Sequence, residues 1–364
     1  MAPAVVELLP LLLLLGEATA SFGCPVTGGC ILNQADESRV PVGGPYEVSD
    51  VVSAAGCNPF TQAISAYGLL FTAGTDGQNV PANGLRWLAH ATVEIFPASA
   101  KDQAGQKKVL ENMFRYRASN PVFVGSMVDK MTPAKDKLSM CDTITIGMSE
   151  SSSPNGQMLE VYEHLLHIIT DVGLSKAFPS QWGISTGSDL YRAMQEAIRN
   201  KVYNVDSYAR IDEADVRLRI EMQEFAYWAL STALGVMDSY FEGDAKPEWT
   251  LSKSSELTNK LPLFAALHAA TTANILAAPS ADTFTALGKL APGQTPVTAP
   301  WPITSPGRSI RTVTTLVNPC TASVGTCNPT TTGAVGIVPS APLLGLVVAS
   351  AVLLGSRTQG LALG

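Results

Sequence analysis

The chain has 364 residues, and its 24 Lys and Arg against 31 Asp and Glu give a formal net charge of −7. Proteins that hold nucleic acid through its phosphates need a basic surface, so this balance excludes nucleic acid as a partner. Hydrophobic residues make up 46% of the sequence, which is sufficient for a sizeable core in one large domain or two small ones.

The first twenty residues have the pattern of a secretory signal. An apolar run over residues 8–15 is followed by the small-residue sequence Ala-Thr-Ala at 18–20. We predict a signal peptide over residues 1–20, with cleavage before Ser21. The run is too short to span a bilayer, which requires about 20 apolar residues. The sequence therefore predicts a protein of the secretory pathway.

All six cysteines follow the signal peptide, and an even number in a secreted chain predicts three disulfides. Spacing favours the pairs Cys24–Cys30, Cys320–Cys327 and Cys57–Cys141. A zinc–cysteine site is the alternative, but no CxxC pair occurs and the predicted compartment is oxidising. Residues 21–56 are rich in Gly and Pro, and we interpret them as a disulfide-pinned N-terminal segment.

Residues 57–290 are predicted to form the globular domain. Apolar residues recur with helical spacing over 81–97, 101–118, 158–173, 189–202, 211–241 and 261–278. Short β-branched runs at 122–124 and 143–146 predict strands. We therefore expect an α+β fold, mostly helical, with a small sheet.

Composition changes after this domain. Residues 291–340 are rich in Thr, Pro, Ser and Gly, which predicts a stalk that carries O-linked glycans. Residues 341–364 form an apolar C-terminal tail with one charged residue, Arg357. The tail has the pattern of a GPI-attachment signal; a single-pass helix is the first alternative and an unanchored tail is the second. Either anchor makes the membrane a partner and predicts the extracellular face of the plasma membrane as the location.

The sequence Glu-His-Leu-Leu-His at 163–167 uses two of the four histidines of the chain on one helical turn. Zinc proteases with an HExxH helix place histidines at i and i+4, with the glutamate between them as general base. Here Glu163 and His167 stand at i and i+4, and His164 occupies the position of the base. Carboxylate and imidazole both bind zinc, so the pair is a candidate metal site.

A helical projection separates the polar and apolar residues of this segment. Its polar residues fall on one face, and the opposite face is wholly apolar. The polar residues are Glu160, Glu163, His164, His167 and Asp171. An amphipathic helix with that face in water is one interpretation. The other is that the face meets groups from another element inside a cleft.

A later helix offers such groups, because its acidic turns run into an apolar stretch that starts at Phe225. The order of strand 143–146, helix 163–167 and acidic helix resembles the arrangement of zincin metallopeptidases of the gluzincin type. The resemblance implies a zinc ion, with Glu163 and His167 as ligands and a glutamate of the later helix as the third. Glu224 is the first choice for that third ligand and Glu221 is the second, with a structural salt bridge as the alternative role. Catalysis would need a base, and His164 is the neighbour available for it.

Two function classes follow from the sequence. One is a metal-dependent hydrolase of zincin-like type, or its inactive descendant, that acts on an extracellular protein or peptide. The other is a non-catalytic cell-surface or matrix protein.

His90 and Glu94 form a second i, i+4 pair that is either a surface contact or part of a two-helix site. His268 lies in an Ala-rich helix and is expected to be packed.

Overall fold

The computed structural model describes residues 34–54, 60–74, 80, 83–125, 142–147, 152–240 and 248–314. The predicted signal peptide, the six cysteines and the C-terminal tail lie outside these ranges. Within them, no helix has both the length and the apolar character needed to cross a membrane.

Seven strands form one mixed sheet in the described part of the chain. They are β1 (Glu47–Ser49), β2 (Val52–Ser53), β3 (Phe60–Ala66), β4 (Leu69–Gly74), β5 (Ser119–Val124), β6 (Ile144–Ile146) and β7 (Arg311–Val313). The strand order is β6-β5-β4-β3-β1-β7, and β2 pairs with β3. Strands β3 and β4 are antiparallel, whereas β4, β5 and β6 run parallel to one another. Both strands predicted from sequence are present, as β5 and β6.

Helices account for about half of the described residues. They are α1 (Gly84–Ile95), α2 (Gln103–Arg115), α3 (Pro154–Ile168), α4 (Ser175–Ala177), α5 (Pro179–Trp182), α6 (Asp189–Arg199), α7 (Ala214–Ala233), α8 (Val236–Tyr240), α9 (Ser254–Lys260), α10 (Pro262–Ala270) and α11 (Ala281–Gly288). The predicted mixed α and β architecture is confirmed at this level. The sheet is larger than the two predicted strands indicated, because β1 to β4 and β7 were not predicted.

The hairpin between β3 and β4 depends on a two-residue turn. Tyr67 and Gly68 both have positive φ, 52° and 88°, as a turn that follows the twist of the strands requires. A Cβ on Gly68 would lie 2.7 Å from the backbone nitrogen of Phe114 in α2. The turn therefore needs glycine both for its conformation and for the close approach of α2.

The start of helix α3 is set by a capping serine and a proline. The Ser153 hydroxyl accepts a hydrogen bond from the Gly156 N–H at 3.0 Å, and Pro154 occupies the first turn, where no N–H is needed. A π-helical segment, Ile169–Leu174, follows without a break. Such segments are frequent at functional sites, and this one lies directly after the two histidines.

Two predicted helices differ from the observed ones at their C-terminal ends. The helix predicted over 211–241 is divided into α7 and α8, because Gly235 between them has a φ of +76°. The helix predicted over 261–278 ends as α10 at Ala270, where Thr271 leaves helical geometry.

Residues 291–314, which lie in the range predicted as a stalk, pack against the domain. Ala299 and Ile303 are buried in its core, and β7 pairs in parallel with β1. The Arg308 guanidinium donates to the Phe96 carbonyl at 2.9 Å and to Gln106 Oε1 at 2.6 Å. It also lies over the Tyr46 ring, 3.9 Å from the ring centre. Arg308 therefore anchors the last described segment to α1, α2 and the approach to β1.

We expect the substitution Arg308→Met to lower the free energy of unfolding by about 2–3 kcal/mol. It removes charge-assisted hydrogen bonds to half-buried acceptors and a contact with an aromatic face. Urea denaturation followed by circular dichroism measures the change. Arg192→Gln, on the exposed side of α6, is the matched control and should cost less than about 0.5 kcal/mol. Equal losses in the two variants would contradict the anchoring role.

Candidate metal centre

The polar face of α3 meets protein rather than water. Asp142, just before β6, approaches it from one side and Glu224 of α7 from the other. His167 is only 2% exposed and Glu224 only 5%. The polar face therefore contacts groups from other elements, which is the second of the two interpretations given above.

Asp142 joins the two histidines through one carboxylate. Its Oδ1 lies 2.7 Å from His164 Nδ1, and its Oδ2 lies 2.6 Å from His167 Nδ1. Gln223 of α7 donates to the same Oδ2 at 3.3 Å, and Arg219 in turn donates to Gln223 Oε1 at 3.1 Å. The carboxylate therefore fixes both rings through their Nδ1 atoms.

The two Nε2 atoms have different surroundings. His164 Nε2 lies 3.2 Å from Glu160 Oε1, which accepts hydrogen bonds from Thr145 N at 3.0 Å and Thr145 Oγ1 at 2.5 Å. His167 Nε2 lies 3.6 Å from Glu224 Oε2, and both of these buried atoms lack a hydrogen-bond partner. One end of the network is thus hydrogen bonded, and the other is charge-paired at a longer distance.

Carboxylates surround both imidazoles and set their protonation. Burial alone lowers the pKa of His164, but the nearby Asp142 and Glu160 carboxylates outweigh it and raise that pKa well above its usual value. Burial likewise opposes the charge on His167, and Glu224 and Asp142 raise its pKa. Burial also opposes the charge on Asp142, yet the two histidines hold its pKa well below its usual range. Without a metal ion, both rings are therefore imidazolium at neutral pH.

Two other acids near the site have raised pKa values. Burial, and then the proximity of Glu224, raises the pKa of Glu163 to about 8. Burial raises the pKa of Asp171 to about 6, although Arg219 at 3.7 Å opposes the shift. Glu163 therefore holds a proton at neutral pH and releases it just above.

Two groups of described residues can hold a metal ion, and they share His167. They are Asp142 with His164 and His167, and Glu163 with His167 and Glu224. Adjacent ligands of a tetrahedral ion at 2.0–2.1 Å stand about 3.3 Å apart. The contacts of Asp142 with the two histidines, at 2.6–2.7 Å, are shorter than that ligand–ligand separation and are hydrogen bonds. The distance of 3.6 Å between His167 Nε2 and Glu224 Oε2 is close to it. The second group is therefore the better metal site.

The structure brings most of the sequence-predicted site residues together. The ligand atoms of Glu163, His167 and Glu224 lie within 4.8 Å of one another. His164 stands beside them, but both of its ring nitrogens face carboxylates. Glu221 does not reach the site, and its carboxylate lies 3.8 Å from Arg217.

The remaining histidines lie elsewhere. His90 Nε2 is 3.3 Å from Glu94, whose carboxylate also accepts hydrogen bonds from Ser280 at the start of α11. His268 Nδ1 lies 2.8 Å from Thr272 Oγ1, and the ring stacks on Phe264. His268 is therefore packed as predicted, and His90 contacts Glu94 without reaching α3.

Sequence reasoning missed Asp142 and Gln223, which complete the network. Asp142 directly precedes the predicted strand at 143–146, so a polar residue at the strand entrance was the available signal. Gln223 precedes Glu224 on α7, but nothing in its spacing marks it as a partner of Asp142.

The chain was compared with protein-family models, with curated proteins and with solved structures. No protein-family model matches the chain, and neither the curated proteins nor the solved structures give a match.

We expect the metal-free protein to lose stability as the pH rises from about 5 to above 8. The pKa values of His164, His167 and Glu163 are all raised in the folded state. The stabilisation from their bound protons is therefore complete at a pH below the pKa values of the unfolded chain. It is lost as the pH rises through the pKa values of the folded protein. Urea unfolding in a chelator should give a free energy at least about 2 kcal/mol lower at pH 8.5 than at pH 5.5.

Glu163→Gln should reduce this pH dependence, because it removes a buried carboxyl that must ionise. Asp212→Asn, at an exposed position before α7, is the control and should leave the dependence unchanged. A stability that rises between pH 5.5 and 8.5 in the wild-type protein would contradict the assigned protonation states.

Proposed function

We propose that the protein is an extracellular metal-dependent hydrolase whose divalent ion, zinc in first place, is held by Glu163, His167 and Glu224. The observation that carries the proposal is the buried pair of His167 Nε2 and Glu224 Oε2, which face each other at 3.6 Å without a hydrogen bond. Buried polar atoms are normally hydrogen bonded, and this pair is held by charge alone at a distance that leaves room for an ion between the two atoms.

The donor set suits zinc or a related transition metal. One imidazole nitrogen and two carboxylate oxygens leave a coordination position open, as catalytic sites require. A site built only of carboxylates and carbonyls would instead favour magnesium or calcium.

The charges of the site also suit a dication. Without metal, Glu163 is neutral and His167 is positive at neutral pH, because both pKa values are raised. Coordination requires the ionised carboxylate and the neutral imidazole. One divalent ion therefore replaces two protons and leaves the net charge of the buried site unchanged.

The residues around this position can support hydrolysis. A bound divalent ion would polarise a carbonyl group and lower the pKa of a water molecule. Glu163 cannot also act as the general base, because coordination requires its carboxylate to be ionised and bound to the ion. His164 is poorly suited to the role of base, because Asp142 and Glu160 occupy its two nitrogens, so proton transfer would depend on the metal-bound water.

The second candidate function is a non-catalytic cell-surface protein. It is favoured by one observation, the completeness of the network on the Asp142 side, where hydrogen bonds and opposite charges already pair both rings. In that case Glu163 and His167 keep their protons and the site binds no metal.

Metal analysis of the purified secreted protein separates these candidates. We expect one divalent ion per chain after loading with zinc and gel filtration. His167→Gln should abolish the binding or weaken it at least about 100-fold, because it removes the imidazole ligand. His268→Gln changes the same residue type at a packed position away from α3 and should bind as the wild-type protein does.

Hydrolysis is tested on the same preparations with a peptide library. Cleavage that zinc restores after chelation, and that His167→Gln lacks, supports the hydrolase. Stoichiometric metal without cleavage indicates an inactive descendant. Absence of stoichiometric metal in the wild-type protein overturns the proposal.

The extracellular location rests on the predicted signal peptide and tail. We expect the mature chain to begin at Ser21 when the protein is recovered from cells and its N-terminus is sequenced. A phosphatidylinositol-specific phospholipase should release the protein from intact cells if the anchor is GPI. Protein that stays bound but is open to external protease indicates the single-pass alternative, and protein found in the cytosol would contradict both.

A further inference from the structure

We infer that Asp142 is a positioning residue that determines which imidazole nitrogen is offered to the metal. This inference rests on the proposed metal site and deepens it. The Asp142 carboxylate receives Nδ1 of both histidines, at 2.7 Å and 2.6 Å, one on each oxygen. A carboxylate can only accept, so each of these contacts requires a proton on Nδ1.

The consequence for His167 follows from the chemistry of the ring. When Nδ1 carries the proton and the ring is neutral, the lone pair lies on Nε2. Nε2 is the atom that faces Glu224 in the buried site. Carboxylates that hold the other nitrogen of a metal-binding histidine are known to fix its tautomer and orientation. Here one carboxylate does this for two rings.

The carboxylate is itself held in place from α7. Gln223 donates to Oδ2 at 3.3 Å, and Arg219 holds Gln223 Oε1 at 3.1 Å. Gln223 is next to Glu224, so the helix that supplies a proposed ligand also orients the residue that aims the imidazole. Asp142, His167 and Glu224 are therefore positioned together.

The first measurement reads the ring protons directly. The chain has only four histidines, so nitrogen-15 NMR of histidine-labelled protein can be assigned with one variant per histidine. In metal-free protein, at a pH where the rings are neutral, we expect His164 and His167 to be protonated at Nδ1. Protonation of His167 at Nε2 instead would overturn the inference, and Asp142 itself need not be substituted to see it.

The second measurement separates position from charge. Asp142→Asn keeps the shape, but its amide offers one acceptor and one donor, so at least one of the two rings must move its proton to Nε2. We expect the affinity for zinc, measured against a chromophoric chelator, to fall about 10–100-fold.

Glu221→Gln is the control, because it removes one carboxylate charge from α7 at a side chain that contacts Arg217 rather than a histidine or Arg219. It should leave both tautomers unchanged and alter the zinc affinity less than about threefold. Equal losses in the two variants would mean that Asp142 acts by charge alone and would overturn the inference.

The two proposals fail separately. If both rings carry the Nδ1 proton but no metal binds, the positioning by Asp142 stands and the metal-dependent function falls. If metal binds but His167 is protonated at Nε2, the metal site stands and the role of Asp142 falls.

Discussion

The organisation of this molecule depends on the cost of placing ionisable side chains between α3, α7 and the entrance to β6. A charge removed from water destabilises a protein by several kcal/mol unless a partner compensates it. This cost is offset because negative and positive groups alternate, so that each imidazole lies between two carboxylates. The order is Glu160, His164, Asp142, His167 and Glu224. Removal of His167 would leave Glu224 buried without its ion-pair partner. The positions of α3, α7 and the segment before β6 are therefore coupled through this chain of side chains.

Part of this arrangement could be predicted from the sequence. The helical periodicity over 158–173 predicts that one face of α3 carries the acids and both histidines, since that follows from 3.6 residues per turn. Glu224 could be selected because it stands where an acidic helix becomes wholly apolar, and a carboxylate there needs a partner. Asp142 is marked in the sequence only by its position before the predicted strand, and its contact with both histidines could not be predicted, because that contact depends on the place of β6 in the sheet, which is a property of the tertiary fold. For the same reason the sequence left open whether the polar face meets water.

The fold shows a similar division. Helices and the β5 and β6 strands have local patterns, so their existence was predictable and their ends were not. The end of α7 illustrates the second point, since Gly235 interrupts a pattern that continues beyond it. Strands β1 and β7 have three residues each, as β6 does, but unlike β6 neither consists wholly of β-branched residues, so no local pattern marks them. Strand β7 also lies in a Thr- and Pro-rich region, where composition indicates a stalk. Its pairing with β1 is a tertiary effect that no local window contains.

That pairing has a consequence for biosynthesis. Glu47 and Arg311, which are hydrogen bonded across β1 and β7, are 264 positions apart in the chain. Contacts between residues so distant in sequence form late, because the intervening chain must first be made and ordered. The sheet cannot close while the ribosome still holds the last strand, so the domain must complete its folding after synthesis of nearly all of the chain. Until then the edge of β1 is open, and this is the stage at which the nascent protein is most exposed to mispairing with other strands.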